Sequence, residues 1–453
     1  MQRRHLLLGG SAALLATTLP GCGGGGADAG TADTMASTSD GLSSAAGVGR
    51  TTTTTGTTAT AAKARVIVVG GGMAGATVAK YLRLWSGNTI DVTLVDRNAR
   101  YTSNIMSSMV LTGQRTLASL GYGYGTLASQ YGVKFVADEV LAIDPVNTTV
   151  TLRNGGVLKA DRIVLAPGIA FDAVPGLSDP TRMPHAWQAG AQTTLLAQQL
   201  AAMPAGGTVA LTIPATPYRC PPGPYERACL LADWLRQRKP GSKLLVLDAN
   251  ADIVTERDNF SRAFLGLHGQ VIEYRPNAVI DHVDPAAMAL YLADGSRVSA
   301  NVVNLIPRQR AGALVATTGL ATATGGRFVP VDVLSYACTV PGAQNVHVIG
   351  DASATTQPKA GHIANQEAKV CADAIVRLVS GGLPDTGPVT NSACFSTITM
   401  SQASWLTAGF QYDPVARAMA PVAAAGGASD GWSGDHFEDM LTWFKALMAD
   451  SFA

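Results

Sequence analysis

Beyond residue 63 the chain repeats one pattern: a short apolar run, a turn, then a stretch with one apolar face. Arg65–Val69 is a β-branched run of the kind that forms a strand buried on both faces. The periodicity after it predicts a helix through about Leu84, and IDVTLVD predicts a second strand ending at Asp96. KADRIVLAPG (159–168) reads as a strand closing in a glycine turn. TVALTIP, Tyr225–Arg238 and KLLVLD read as strand, helix and strand. GAQNVHVIGDAS (342–353) reads as a buried strand, followed by a helix over about His362–Val379. Near the end Phe437, Met440, Leu441, Phe444, Leu447 and Met448 recur at helical spacing. Strands alternating with helices predict an α/β protein with parallel sheets in three layers.

The first 63 residues break that pattern. Residues 1–22 have a basic start with Arg3 and Arg4, an apolar run and small residues, which reads as an export signal of the twin-arginine type. LPGC resembles a lipoprotein cleavage box, with Cys22 as the candidate lipidated residue. Residues 23–63 are nearly all Gly, Ala, Ser and Thr, a flexible low-complexity linker with too little apolar surface to offset its ordering entropy. The expected location is therefore the periplasm, with a membrane tether if Cys22 is lipidated.

Composition narrows the function classes. With 33 Lys+Arg against 32 Asp+Glu the formal charge is +1, so nothing favours nucleic-acid binding. Six cysteines without a C-x2-C pair make neither a zinc module nor a disulfide scaffold, and no metal site is expected.

The first turn carries the first chemistry. Gly70-x-Gly72-x-x-Gly75 lies between a strand and a helix, and Asp96 ends the next strand. Gly70 permits a tight turn, Gly72 close approach of a pyrophosphate, and Gly75 close helix–strand packing; a carboxylate such as Asp96 can bind a ribose diol. The glycine turn at Gly168 and the pair Gly350-Asp351 at a later strand end select FAD over NAD, because two-domain flavin reductases place such an aspartate at the ribityl chain. The helix after it would aim its N-terminal dipole at the isoalloxazine. A second unit over 206–250 has the same layout, but its turn reads PATPYRCPPGPYER. Prolines remove amide donors, and Tyr218 and Arg219 forbid close backbone approach, so NAD(P)H is not the expected substrate.

The expected fold is thus two Rossmann-like domains of the two-domain flavin reductase type plus a small C-terminal domain. Residues 64–177 and 300–383 form the FAD-binding domain, 178–299 the second domain without an NAD fingerprint, and 384–453 a flavin-adjacent, partner-docking domain. Cys371 and Cys229 fall on helical stripes and read as packing residues, while Cys338 has no assigned role. Cys220 sits in the proline-rich turn and Cys394 beyond the last Rossmann helix, as candidates for either redox chemistry or a structural bridge.

The segments RCPPGPYERA (219–228), NLIPRQRAG (304–312), HVIGDA (347–352), PHAWQAG (184–190) and the terminal HFEDMLTWFKALMADSFA resemble the flavoprotein subunit of flavocytochrome c sulfide dehydrogenase, a relative of sulfide:quinone oxidoreductases. The resemblance implies a Cys220–Cys394 disulfide beside the flavin, with Cys394 the flavin-proximal sulfur, and sulfide as the small-molecule substrate. Glu226 is then the candidate acid/base, and Lys359 a charge near the flavin. A c-type cytochrome subunit is the implied partner, since no C-x-x-C-H is present for a haem in this chain. Two other readings stand beside it: a sulfide:quinone oxidoreductase, and a noncatalytic FAD-binding protein. The chain departs from the family at Tyr101-Thr102-Ser103, where the family carries a flavin-tethering cysteine. Ser103 cannot form a thioether, so FAD is expected to be held noncovalently.

Overall fold

The computed structural model describes residues 63–453. The export signal, Cys22 and nearly all of the linker lie outside the described residues.

Elements are numbered in chain order among those that frame the site. They begin with β1 (Ala64–Val69), α1 (Met73–Trp85), β2 (Ile90–Asp96), β3 (Lys134–Ala137) and β4 (Arg162–Leu165). There follow β5 (Thr208–Ile213), α2 (Gly223–Arg238), β6 (Lys243–Asp248), α3 (Arg257–Arg262), β7 (Ile272–Arg275) and β8 (Val302–Asn304). Next come β9 (Val329–Asp332), β10 (Ala337–Cys338), β11 (Val346–Val348), β12 (Ser353–Ala354) and α4 (Gly361–Val379). The chain ends in β13 (Val389–Thr397), β14 (Ala403–Asp413), β15 (Ala418–Ala428) and α5 (Gly434–Phe452).

An 8-stranded sheet has the order β12-β9-β10-β11-β4-β1-β2-β3, and its centre, from β11 to β3, is parallel. The β-branched runs explain that placement. Val66 and Val68 point into the core beneath α1 and α4, while Ile67 and Val69 point into the core on the other face. A strand must be apolar on alternate residues of both sets to sit there. A second, 4-stranded parallel sheet has the order β7-β6-β5-β8. Each parallel sheet is accompanied by a three-stranded antiparallel sheet, at 140–159 and 280–299.

The last part of the chain carries a structure that its Thr/Ser/Ala-rich text does not announce. β13, β14 and β15 form a three-stranded antiparallel sheet of long strands. Helix α5 then returns to the first sheet's core, burying Met440, Phe444, Leu447, Met448 and Phe452. Phe437 and Leu441, on the flank of the same face, are half-buried against that core.

Candidate active site

The strand–glycine–helix segment forms a cradle. Gly70 has φ +97°, a left-handed backbone, and a Cβ there would lie 2.4 Å from the Ala166 carbonyl oxygen. At Gly75 a Cβ would fall 1.7 Å from the Gly70 oxygen, so only glycine lets α1 pack this close. Gly72 caps α1 without a side-chain hydrogen bond, and a Cβ there would meet nothing nearer than 3.7 Å. That leaves open space before the free amides of the helix's first turn. Asp96 stands at the far edge of the cradle, accepting 2.7 Å hydrogen bonds from the backbone N–H groups of Gly71 and Asn98.

A cleft of about 1100 Å³ runs from this cradle. Its walls include Gly70, Gly72, Asp96, Gly168, Gly350 and Asp351, and then the N-terminus of α4 at Gly361 and His362. Burial raises the Asp351 carboxyl above its ordinary range, opposed by the nearby Arg219 and Lys359 charges. The helix-dipole ends, glycine gaps and ribose-directed acid fit FAD: α1 would hold the pyrophosphate and Asp96 the adenosine ribose.

At its inner end the same cleft is walled by Cys220, Glu226 and Cys394. Cys220 sits in the proline-rich turn with φ +59°, a conformation that costs a non-glycine residue energy. The turn is held from two sides: the Cys220 N–H donates to the Lys359 carbonyl at 2.6 Å, and the Arg219 N–H donates to Gln309 Oε1 at 2.8 Å. Gly223 opens α2 beneath the thiol, and a Cβ there would press on both Cys220 Sγ and the Trp187 ring at 2.9 Å. Cys394 lies on β13 opposite Leu406, and the N–H of its neighbour Ala393 donates to His362 Nδ1 at 2.9 Å. Burial pushes the Cys220 thiol up, with Cys394 and Glu226 adding to it and Arg219 opposing. The Cys394 thiol is pushed up to about 12, first by burial and then by the charge of Glu256.

Glu226, in the first turn of α2, accepts a 2.9 Å hydrogen bond from Thr397 Oγ1. Burial pushes its carboxyl up to about 7, against the pull of Thr397 and Arg227. Arg227 is 1% exposed, an unusual place for a guanidinium. It donates to Ser108 Oγ, Asn304 Oδ1 and the carbonyls of His185 and Ala186, and lies 4.6 Å from the centre of the Trp187 ring. These partners replace most of its lost hydration. Even so, burial pulls Arg227 down to about 9.

One expectation, Ser103 at the cleft wall, needs correction. Cys220 and Cys394 both line the cleft and are unlinked here, the reduced form of the pair. Lys359 does not line the cleft itself, but its charge reaches Asp351 on the cleft wall. Its ammonium donates to the Ser353 carbonyl at 2.7 Å, lies 3.9 Å from the Phe328 ring centre, and lines a separate 470 Å³ pocket behind the cysteine turn. Lys359 thus gives the site both its charge, felt at Asp351, and its carbonyl, which accepts from the Cys220 N–H. Ser103 is fully buried and is not on the cleft wall; its hydroxyl donates to the Ile105 carbonyl at 3.2 Å while Thr102 and Asn104 face the cleft.

Sequence reasoning gave no role to Trp187 or Arg227 and only a steric one to Arg219, although all three lie in the quoted motifs. The Arg227 partners Ser108 and Asn304 are remote in sequence, so no local signal marks them. Glu256 lies in no motif at all.

At the second sheet the strand-end acid is engaged by the protein's own side chains. Asp248 ends β6 as Asp96 ends β2, but it is fully buried and accepts hydrogen bonds from Tyr225 Oη at 2.7 Å and Tyr274 Oη at 2.9 Å. Tyr218 and Tyr225 fill the space in front of it, both almost wholly buried.

Residues 64–201 match the family model described as pyridine nucleotide-disulphide oxidoreductase. Residues 193–307 match the model described as sulfide dehydrogenase [flavocytochrome c] flavoprotein chain, central. Among solved structures, the sulfide:quinone oxidoreductase of the hyperthermophilic bacterium Aquifex aeolicus is similar at 18% identity and TM-score 0.70, covering 85% of this chain and 91% of its own. A NAD-dependent persulfide reductase from A. fulgidus is similar at 15% identity and TM-score 0.59, covering 84% and 77%. A water-forming NADH oxidase from Lactobacillus brevis follows at 15% identity and TM-score 0.56, covering 85% and 91%. Residues 64–201 are of the pyridine nucleotide-disulphide oxidoreductase kind, and the solved structures share the fold of the chain as a whole. The chain's central region is of the kind found in the flavoprotein chain of flavocytochrome c sulfide dehydrogenase.

Proposed function

We propose that the chain is an FAD-dependent sulfide dehydrogenase that works through Cys220 and Cys394 and passes electrons to a c-type cytochrome subunit. The observation that carries this reading is that both cysteines, remote in sequence, line the one cleft, where the charge of Cys394 bears on Cys220. In the oxidised form the two sulfurs are joined. Hydrosulfide attacks Cys220 Sγ; a new S–S bond forms there, the Cys220–Cys394 bond breaks, and its electron pair leaves on Cys394 as thiolate. Glu226, on the same wall, takes the proton of the persulfide S–H, which its carboxyl near neutrality suits it to do. Arg219 and Arg227 offset the negative charge that gathers in this dry corner. FAD, when bound, supplies the two-electron acceptor for the reduced sulfur pair. The plugged second domain supports a donor other than a pyridine nucleotide.

Ser103 supports a noncovalent flavin, since a serine forms no thioether and its side chain is turned away from the cleft. Acid precipitation should then release all of the flavin into the supernatant; yellow colour retained in the pellet would contradict this. The first 22 residues support twin-arginine export to the periplasm, with Cys22 as a lipid anchor. The direct test of function is anaerobic addition of sulfide to the flavin-loaded protein. The flavin absorbance is expected to bleach, and Cys394→Ser to slow bleaching by at least ~10³-fold, the loss seen when a covalent-catalysis residue is removed. Bleaching of Cys394→Ser at the parental rate would refute the assignment.

A further inference from the structure

Strand β13 holds more than Cys394. Two residues on, Ser396 Oγ donates to Glu256 Oε1 at 2.7 Å, and Ser404 Oγ of β14 donates to Glu256 Oε2 at 2.7 Å. The next residue, Thr397, holds Glu226. Two carboxylates from separate elements therefore hang from hydroxyls of the strand that presents Cys394. Glu256 precedes α3 with φ +45°, a conformation costly for a non-glycine residue, and it is 9% exposed. Among the described residues no Lys, Arg or His forms an ion pair with it. A strained, buried carboxylate held by two hydroxyls and no cation is an expensive arrangement without a local structural return.

We propose that Glu256 is a positioning residue for the thiol chemistry, its carboxylate held by Ser396 two residues along the strand from Cys394 and beside the Thr397 that holds Glu226. The site then has a polarity. Glu226 bears on both thiols, but Arg219 opposes it only at Cys220 and Glu256 adds to it only at Cys394. An incoming anion is steered to Cys220, and a thiolate formed at Cys394 is driven to give up its charge. The other groups facing this region are Arg227 and Cys229 on α2, Cys220 in the turn, His362 on α4 and His436 at the start of α5, whose Nδ1 contacts the Ala403 carbonyl. Burial raises the Glu256 carboxyl, opposed by Ser404 and Ser396, and Glu256 in turn raises Glu226.

The inference rests on the free thiol pair and not on the identity of the electron donor, so it can fail while the sulfide reading stands, and the reverse. Its test uses the full-length, flavin-loaded protein, reduced with a dithiol and labelled with iodoacetamide across a pH series, with Cys220 and Cys394 read separately by peptide mass spectrometry. In Glu256→Gln the like charge is gone, so Cys394 should label roughly three- to tenfold faster at about pH 8, its profile moved to lower pH. Cys220 should move less, and Glu256→Asp should restore the parental profile. An unchanged Cys394 profile, a shift to higher pH, or equal acceleration of both thiols without a pH shift would overturn the proposal. Should Glu256→Gln not fold, Ser404→Ala serves instead. Loss of that donor removes one of the two hydroxyls that favour the ionised Glu256 carboxyl, so Cys394 labelling should again accelerate, and an unchanged rate would overturn the proposal.

Discussion

Glu226 connects the chemistry of the cleft to the stability of the fold. Its carboxyl is pushed up to about 7 by burial, from an ordinary value of 4.5. The folded protein therefore binds this proton more tightly than the unfolded chain does. The stability that follows is fully present below the unfolded value and is lost as pH rises through about 7. Glu226→Gln removes the titration. Between about pH 4.5 and 7 the urea-unfolding free energy of the parent should gain a downward slope that the variant lacks. Parallel curves would show that Glu226 is not held in this environment. The same substitution should abolish the acid limb of sulfide oxidation, because a base must be deprotonated to accept a proton.

At the scale of elements, the cradle depends on α1 touching the turn before it. A methyl at residue 75 would meet the Gly70 carbonyl oxygen inside any permitted contact. Gly75→Ala should cost on the order of 1–3 kcal/mol by overpacking, read as a lower urea midpoint, and should lower flavin content in parallel. Full flavin occupancy in that variant would mean that the pyrophosphate does not sit at this helix. The cradle was legible in the sequence because its parts are consecutive: strand, three glycines, helix, strand, acid. The sheet that presents Cys394 was not legible. β13–β15 are built from small residues such as those of AMAPVAAAGGA, and much of β15 is exposed, so no strong period-two alternation marks them. Lys359 was legible only in part. Its place in the chain, eight residues after Asp351, marks a charge close to that carboxyl but not that its ammonium settles on the Phe328 ring and the Ser353 carbonyl. Arg227 could be quoted within a motif but not understood, since its partners come from α2's neighbours at positions 108, 186 and 304.

Across the whole molecule, α5 ties the last residues of the chain to the first sheet. Phe444 is 4% exposed in the core shared with α1 and α4, and Met440 and Trp443 of the same helix line the flavin cleft. Phe444→Ala should destabilise the protein by about 3–5 kcal/mol and weaken flavin retention. Thermal unfolding of the flavin-loaded protein measures both. At the same scale Tyr218, Tyr225 and Tyr274 gather around Asp248 at the end of the second sheet's strand. NADH added anaerobically should leave the flavin oxidised, and rapid bleaching by NADH would mean that the second sheet still binds a nucleotide.

The whole arrangement turns on the two cysteines at the inner wall. Non-reducing peptide mapping of the air-oxidised, flavin-loaded protein, before and after one equivalent of sulfide, tests them most directly. The expected result is a Cys220–Cys394 cross-linked peptide that disappears with sulfide and yields Cys220 carrying one added sulfur atom. Two unlinked thiols throughout, with no sulfur transferred to either, would contradict a redox role for the pair.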